Sequence, residues 1–233
     1  GCLPHPQQLD LIVQFQFSSC CHGLKRCHKE TIMQNFVEKA NKKDSNRLIL
    51  GSGSPRRSEL LRKITSDFSI SISAEDELDF HPDGLLELVQ ENARLKACSV
   101  ANDYPESWVL GADTLVALGT LVLGKPKSMD DAFSMLRMLS GKTHEVSTGL
   151  CLINRAKNYQ KKKVDTSKVT FKKLDDSTIK NYFLEVNPLD KAGGYAMQTR
   201  SDLIIKDFQG SRSNVIGLPL ELLEKWFRET DII

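Results

Sequence analysis

No stretch of this 233-residue chain is apolar for long enough to span a bilayer, which takes about 20 consecutive apolar residues, so a membrane-embedded protein is not expected. Charge of one sign is also lacking: 32 Lys and Arg face 30 Asp and Glu, a formal net charge of +2. That balance argues against a nucleic-acid binder working through bulk electrostatics. The six cysteines are scattered and include no Cys-x-x-Cys pair. They suggest no disulfide framework and fit a reducing, cytoplasmic setting. Cys20, Cys21, His22, Cys27 and His28 are potential zinc ligands, but their spacing matches no common zinc pattern, and no metal site is expected there. No internal repeat and no second-domain linker stands between Arg47 and Ile233, so one substantial core is expected over that span.

Against these absences stands Arg47 to Ile64, RLILGSGSPRRSELLRKI. Leu48, Ile49 and Leu50 read as a short buried strand. A Gly-Ser turn follows, with Ser54 at an N-cap position and Pro55 at the first position of a helix. Leu60, Leu61 and Ile64 recur at helical spacing. Gly51 and Gly53 permit a tight turn whose amide groups face one place, the construction of an anion site at a helix start. Arg56 and Arg57 sit in the first turn, where the helix dipole disfavours cations. A local rule broken in this way points to a missing anion of several charges. The stretch is not a Walker A loop, since no Gly-Lys-Ser/Thr follows, and Arg56 stands where a dinucleotide fingerprint has its third glycine.

Residues 1–46 show no hydrophobic period and are expected to be an N-terminal extension, with Met33 a plausible start and residues 1–32 dispensable. From residue 47 onward the spacing predicts alternating elements. Phe68, Ile70 and Ile72 predict a strand that runs into the acidic turn Glu75-Asp76-Glu77. Leu85, Leu86, Val89, Ala93, Ala97 and Val100 predict one face of a long helix, with Lys96 beside it. Val109 and Leu110 predict a buried strand that ends at Gly111-Ala112 and then presents Asp113 and Thr114, a good position for a cleft carboxylate. Gly119-Thr120 predicts a hairpin, Ser128 to Gly141 a capped helix, and Val146 to Ile153 a strand. Arg155 to Lys163 reads as a solvated basic loop without the interleaved aromatics of a nucleic-acid surface. Val169 and Phe171 mark a return strand, and Ile179 to Val186 a helix that stops before Pro188. Leu203 to Phe208 reads as a strand and Leu220 to Phe227 as a last helix.

Seven motifs stand in one order: LGSGSPRR, Asp76-Glu77, GADT (111–114), GKP (124–126), LSGKTHEVSTG (139–149), DKAGGYAMQ (190–198) and NVIGLPL (214–220). Their order resembles that of the Maf family of nucleoside triphosphate pyrophosphatases, also called septum-formation-inhibitor proteins, over about residues 47–228. The resemblance implies an α/β fold with a central, elongated mixed sheet flanked by helices. Two lobes would surround a nucleotide cleft, as in inosine triphosphate pyrophosphatases. It implies a hydrolase of phosphorus anhydrides that cleaves between the α- and β-phosphates with a divalent cation, Mg²⁺ or Mn²⁺, and it leaves a homodimer open. The Tyr-x-x-Gln form at Tyr195 to Gln198 resembles the branch acting on dTTP, UTP and modified pyrimidine nucleotides rather than the branch acting on 7-methyl-GTP. Thr199 to Asp202 stand where the family commonly has glycines, and Gly51 and Gly53 where it has alanines.

The residue chemistry agrees. Arg56, Arg57, Lys96 and Lys125 supply cations for triphosphate oxygens and a pyrophosphate leaving group, and Ser52 adds a neutral donor. Thr114 joins the substrate-binding set. Glu77 and Asp113 form a carboxylate pair suited to Mg²⁺, with Asp113 orienting and deprotonating the attacking water, directly or through the metal. Gln198 is expected to select the base, the alternative being that it bonds its own loop. Nucleotide-pool housecleaning is the expected role; a nucleotide-sensing regulator of division without turnover is the main alternative.

Overall fold

The computed structural model describes residues 47–233. The expected N-terminal extension, the start at Met33 and the Cys-His group lie outside the described residues. Among the described residues, fourteen helices and strands, with one short 3₁₀ turn at Ala192–Gly194, make an α/β fold around one mixed sheet. In chain order they are β1 (Leu48–Leu50), α1 (Pro55–Leu61), β2 (Phe68–Ile70), α2 (Leu85–Asp103), β3 (Trp108–Leu118), β4 (Leu121–Leu123) and α3 (Met129–Leu139). There follow β5 (Thr143–Asn154), β6 (Tyr159–Phe171), α4 (Asp176–Glu185), α5 (Ser201–Ile204), β7 (Ile205–Gln209), α6 (Arg212–Ile216) and α7 (Leu220–Glu229). No helix among the described residues is long and apolar enough to cross a membrane.

The sheet runs β2-β1-β3-β5-β6-β7, with β4 also paired to β3. β1 lies parallel to β2 and β3, and all other pairings are antiparallel. Side chains alternate between faces along a strand. Leu48, Leu50, Trp108, Leu110, Leu150 and Leu152 accordingly enter one core with α1 and α7. Their neighbours Ile49, Val109, Cys151 and Ile153 enter another with α2. The far half of the sheet builds a third core, where Val116, Val146, Val169 and Phe171 meet Leu136 of α3 and Ile179 and Tyr182 of α4. Two lobes result, joined by the continuous strands β3 and β5.

The pairing of β3 changes partner midway, and this creates the cleft. Its first residues, Trp108 to Leu110, pair with β1, and its last, Val116 to Leu118, pair with β4. From Gly111 to Leu115 one edge has no strand beside it among the described residues, while β5 continues along the other. α2 lies hard against this midpoint. A Cβ on Gly111 would stand 2.1 Å from the Ala93 carbonyl oxygen, and one on Gly149 2.3 Å from that of Val89. Only glycine admits so close a helix.

Several sequence expectations need correction. Asp113 lies within an eleven-residue strand, not beyond its end, because β5 pairs with β3 from Val109 to Ala117. β2 stops at Ile70, and Ile72 is 71% exposed. Leu86 faces solvent while Leu88 takes the inward position on α2. Tyr159 to Lys163 belong to β6 rather than a loop, since the turn needs only residues 155–158, with Asn158 at positive φ. Residues 201–204 form α5 before the strand begins. Ser54 has N-cap backbone geometry but makes no side-chain cap.

Candidate active site

All nine residues singled out from the sequence line one cleft of about 890 Å³: Ser52, Arg56, Arg57, Glu77, Lys96, Asp113, Thr114, Lys125 and Gln198. They arrive from six places. β3 brings Asp113 and Thr114 to its unpaired edge. The turn after β1 and the start of α1 bring Ser52, Arg56 and Arg57. α2 contributes Lys96, and irregular segments contribute Glu77, Lys125 and Gln198.

At the floor, the Lys96 ammonium donates to Glu77 Oε1 and to Asp113 Oδ1, each at 2.7 Å. Asp113 is only 4% exposed, so its charge depends on such partners. Its second oxygen accepts from Asn92 Nδ2 at 3.3 Å. Asn92 also holds both backbone groups of Leu78, accepting from its N–H at 2.8 Å and donating to its carbonyl at 3.1 Å. One buried carboxamide thus ties the segment beside Glu77 to the strand carrying Asp113. Lys125 stands 4.0 Å from Glu77 and is largely exposed at the rim.

Across the cleft, Arg57 is braced by protein on three of its nitrogens. Nε donates to the Gly217 carbonyl at 2.9 Å, Nη1 to Ser52 Oγ at 3.1 Å and Nη2 to Thr114 Oγ1 at 3.0 Å. Burial lowers the Arg57 pKa, while the charges of Asp113 and Glu77 work the other way. Thr148 donates to the Asn214 carbonyl, so the Thr114 hydroxyl proton goes to Thr148 at 3.0 Å. Thr114 retains a lone pair but no donor for phosphate. Ser52 is the reverse case. Its oxygen accepts from Arg57 and from the Ser54 amide, which leaves its proton to donate. Arg56 reaches the Asp190 carboxylate and, at 2.9 Å, the Asp190 carbonyl. Burial raises the Asp190 pKa, but Lys191 and Arg56 outweigh it and the net shift is downward. Gln198 is exposed, and its side chain makes no hydrogen bond among the described residues.

Four participants were not singled out from the sequence. Asn92 carried a readable signal, a polar residue on the inward face of α2 between Val89 and Ala93. Asp190 lies inside a quoted motif but had no role. Thr148 and the Asn214 carbonyl are joined to Thr114 only by folding, 34 and 66 residues apart in their shared bonds.

Two carboxylates converging on one ammonium offer a hard-oxygen pair of the kind Mg²⁺ takes when substrate phosphate and water complete its shell. No group of three or more His, Cys, Asp or Glu that could hold a metal occurs among the described residues, which does not suit a closed protein-only site.

Fold and cleft together define an α/β protein of two lobes on one mixed sheet, with a cation-lined, dicarboxylate-floored cleft where strand pairing changes. The chain belongs to the Maf-like protein family, which it matches over residues 47–230. It is 42% identical over 177 residues to the dTTP/UTP pyrophosphatase of Myxococcus xanthus, covering 76% of this chain and 89% of that protein. It is 43% identical over 173 residues to a dTTP/UTP pyrophosphatase of Geobacillus, covering 74% and 92%. Among solved structures, the Ham1 protein of Staphylococcus aureus aligns with a TM-score of 0.48 at 13% identity, over 79% of this chain and 99% of that one.

Proposed function

We propose that this chain is a nucleoside triphosphate pyrophosphatase that hydrolyses dTTP and UTP to the monophosphate and pyrophosphate. The observation that carries the reading is the meeting of Glu77 and Asp113 on Lys96, at 2.7 Å each, opposite Arg56, Arg57 and Ser52. The substrate class follows the 38–43% identity to proteins named dTTP/UTP pyrophosphatase.

Ser52 donates its free hydroxyl proton to a phosphate oxygen, and Arg56 exchanges Asp190 for the triphosphate. Arg57 holds Ser52 in place and adds charge behind it. Asp113, oriented by Lys96 and Asn92, accepts a proton from the attacking water. The water oxygen bonds to the α-phosphorus as the bond from that phosphorus to the bridging oxygen breaks. Pyrophosphate leaves with its charge met by Arg56 and Lys125. Glu77 and Asp113 are the residues that would hold a divalent cation, Mg²⁺ or Mn²⁺, which would supply Lewis-acid polarisation of phosphate oxygens. Gln198 faces the base. Its carboxamide can match the N3–H donor and carbonyl acceptor of uracil or thymine.

The test is a panel of UTP, dTTP, CTP and GTP with Mg²⁺, with pyrophosphate and orthophosphate measured separately, on wild type and Asp113→Asn. Monophosphate and pyrophosphate from UTP and dTTP are expected. Asp113→Asn is expected to lower turnover by about a hundredfold or more with nucleotide binding largely kept. Orthophosphate and a diphosphate as primary products overturn the reaction, and near-normal turnover of the variant removes Asp113 from it.

A further inference from the structure

The loop that carries Gln198 is held from behind at three successive residues by three different elements. The Tyr195 hydroxyl meets His144 Nε2 of β5 at 2.8 Å. Its ring, the His144 ring and that of Phe171 on β6 pack edge to face, with centroids 4.9–5.4 Å apart. Next, the Ala196 amide donates to the Tyr182 hydroxyl of α4 at 2.8 Å, and that hydroxyl donates back to the Ala196 carbonyl at 3.3 Å. Then the Met197 carbonyl accepts from Arg212 Nη2 of α6 at 3.1 Å. Upstream, the Gly193 amide donates to the Gly124 carbonyl at 3.0 Å. The following residue, Gln198, is exposed in the cleft without a side-chain partner among the described residues. His144, Phe171, Tyr182 and Arg212 do not line the cleft.

We propose that Tyr182 and Arg212 are positioning residues for base selection, fixing the backbone of Ala196 and Met197 so that Gln198 meets a pyrimidine edge at one height. This rests on the reading that Gln198 faces the base. The physical argument is one of adaptability. Uracil and cytosine differ in the order of donors and acceptors along one edge, and a carboxamide offers either order after a flip. Discrimination therefore needs a site that does not shift to remake bonds with the wrong edge. A loop ending in an exposed carboxamide has no such stiffness of its own, and the Tyr182 hydroxyl supplies it by engaging both backbone groups of one residue. The Tyr182 and Arg212 bonds involve none of Ser52, Arg56, Arg57 or Lys125 of the oligophosphate end, which meets this loop elsewhere, at Asp190 and beside Gly124.

The experiment uses Tyr182→Phe, which keeps the buried ring and removes only the hydroxyl, and Arg212→Met at an exposed position where folding is safe. Each is compared with wild type and Gln198→Ala in KM and kcat for UTP and CTP, and in the inhibition constant of pyrophosphate. Losing the anchoring bonds is expected to raise KM for UTP and lower the UTP-to-CTP ratio of kcat/KM, each by about five- to tenfold. kcat and the pyrophosphate constant should stay within about twofold, since the phosphate contacts are untouched. An unchanged UTP-to-CTP ratio in both variants, with Gln198→Ala lowering it, overturns the positioning role alone. A pyrophosphate constant that rises in step with KM also overturns it, because the bonds would then serve the whole cleft. If Gln198→Ala leaves the ratio unchanged, the base-facing reading fails and takes this inference with it.

Discussion

Buried polar side chains in this protein divide into those that present a group to the cleft and those that hold such a group still. Ser52 presents a proton because both of its lone pairs are occupied from inside. Asn92 presents nothing and instead fixes Asp113 and the Leu78 backbone together. His144 belongs with the second kind. It is 1% exposed, and its Nδ1 has no hydrogen-bond partner among the described residues. Burial lowers its pKa from 6.5 to about 4. The folded state therefore holds His144 neutral in a range where the unfolded chain protonates it. The linked stability is present above about pH 6.5 and is lost as the pH falls toward 4, an effect on the order of 3 kcal/mol. Melting curves from pH 7 to pH 4 should show this loss for wild type, and His144→Gln should show a shallower fall. Parallel curves for the two would remove His144 from the acid response.

The close approach of α2 to the sheet is a property of an element rather than of a residue. α2 carries Asn92 and Lys96, and its depth sets how far both reach toward Asp113. Gly149 lies opposite Asp113 in the β3–β5 register, and the space above it is filled by the backbone of Val89 and Gln90. A methyl group there meets backbone, which cannot rotate away. Gly149→Ala is expected to cost about 1–3 kcal/mol or more by overpacking and to reduce turnover further by lifting α2 from Asp113. Thermal melting and kcat at a temperature where the variant is folded check the two effects separately. Full activity at an unchanged melting temperature would show that the helix can be displaced without consequence.

Across the molecule, β3 and β5 run unbroken through both lobes, and this couples the cores on either side of the cleft. Trp226 and Phe227 of α7 are buried in the core with Leu48, Leu110 and Leu152, whereas Phe171 and Tyr182 lie in the other lobe. Trp226→Ala is expected to destabilise the protein by about 3–5 kcal/mol. Helical content followed by circular dichroism and the fluorescence of Trp108 should still fall at one temperature in that variant, because loss of one core frees the strands on which the other is built. Two separated transitions would show that the lobes unfold independently.

The sequence by itself determined the local chemistry. A buried strand, a glycine turn and two arginines in a first helical turn were legible because each rests on neighbours within a few residues. The seven ordered motifs carried the α/β class and eight of the nine cleft residues for the same reason, type and order surviving without coordinates, and Lys96 was legible from the helical period around it. The tertiary structure alone decided how those residues divide their bonds. Thr114 gives its proton to a residue 34 positions away, and Arg57 bonds to a carbonyl 160 positions away. It also decided that Asp113 sits within a strand, since that depends on β5 pairing alongside and on where β1 ends and β4 begins. Hydrogen-bond partners distant in the chain leave no period or spacing to read, and only the folded sheet brings them within 3 Å.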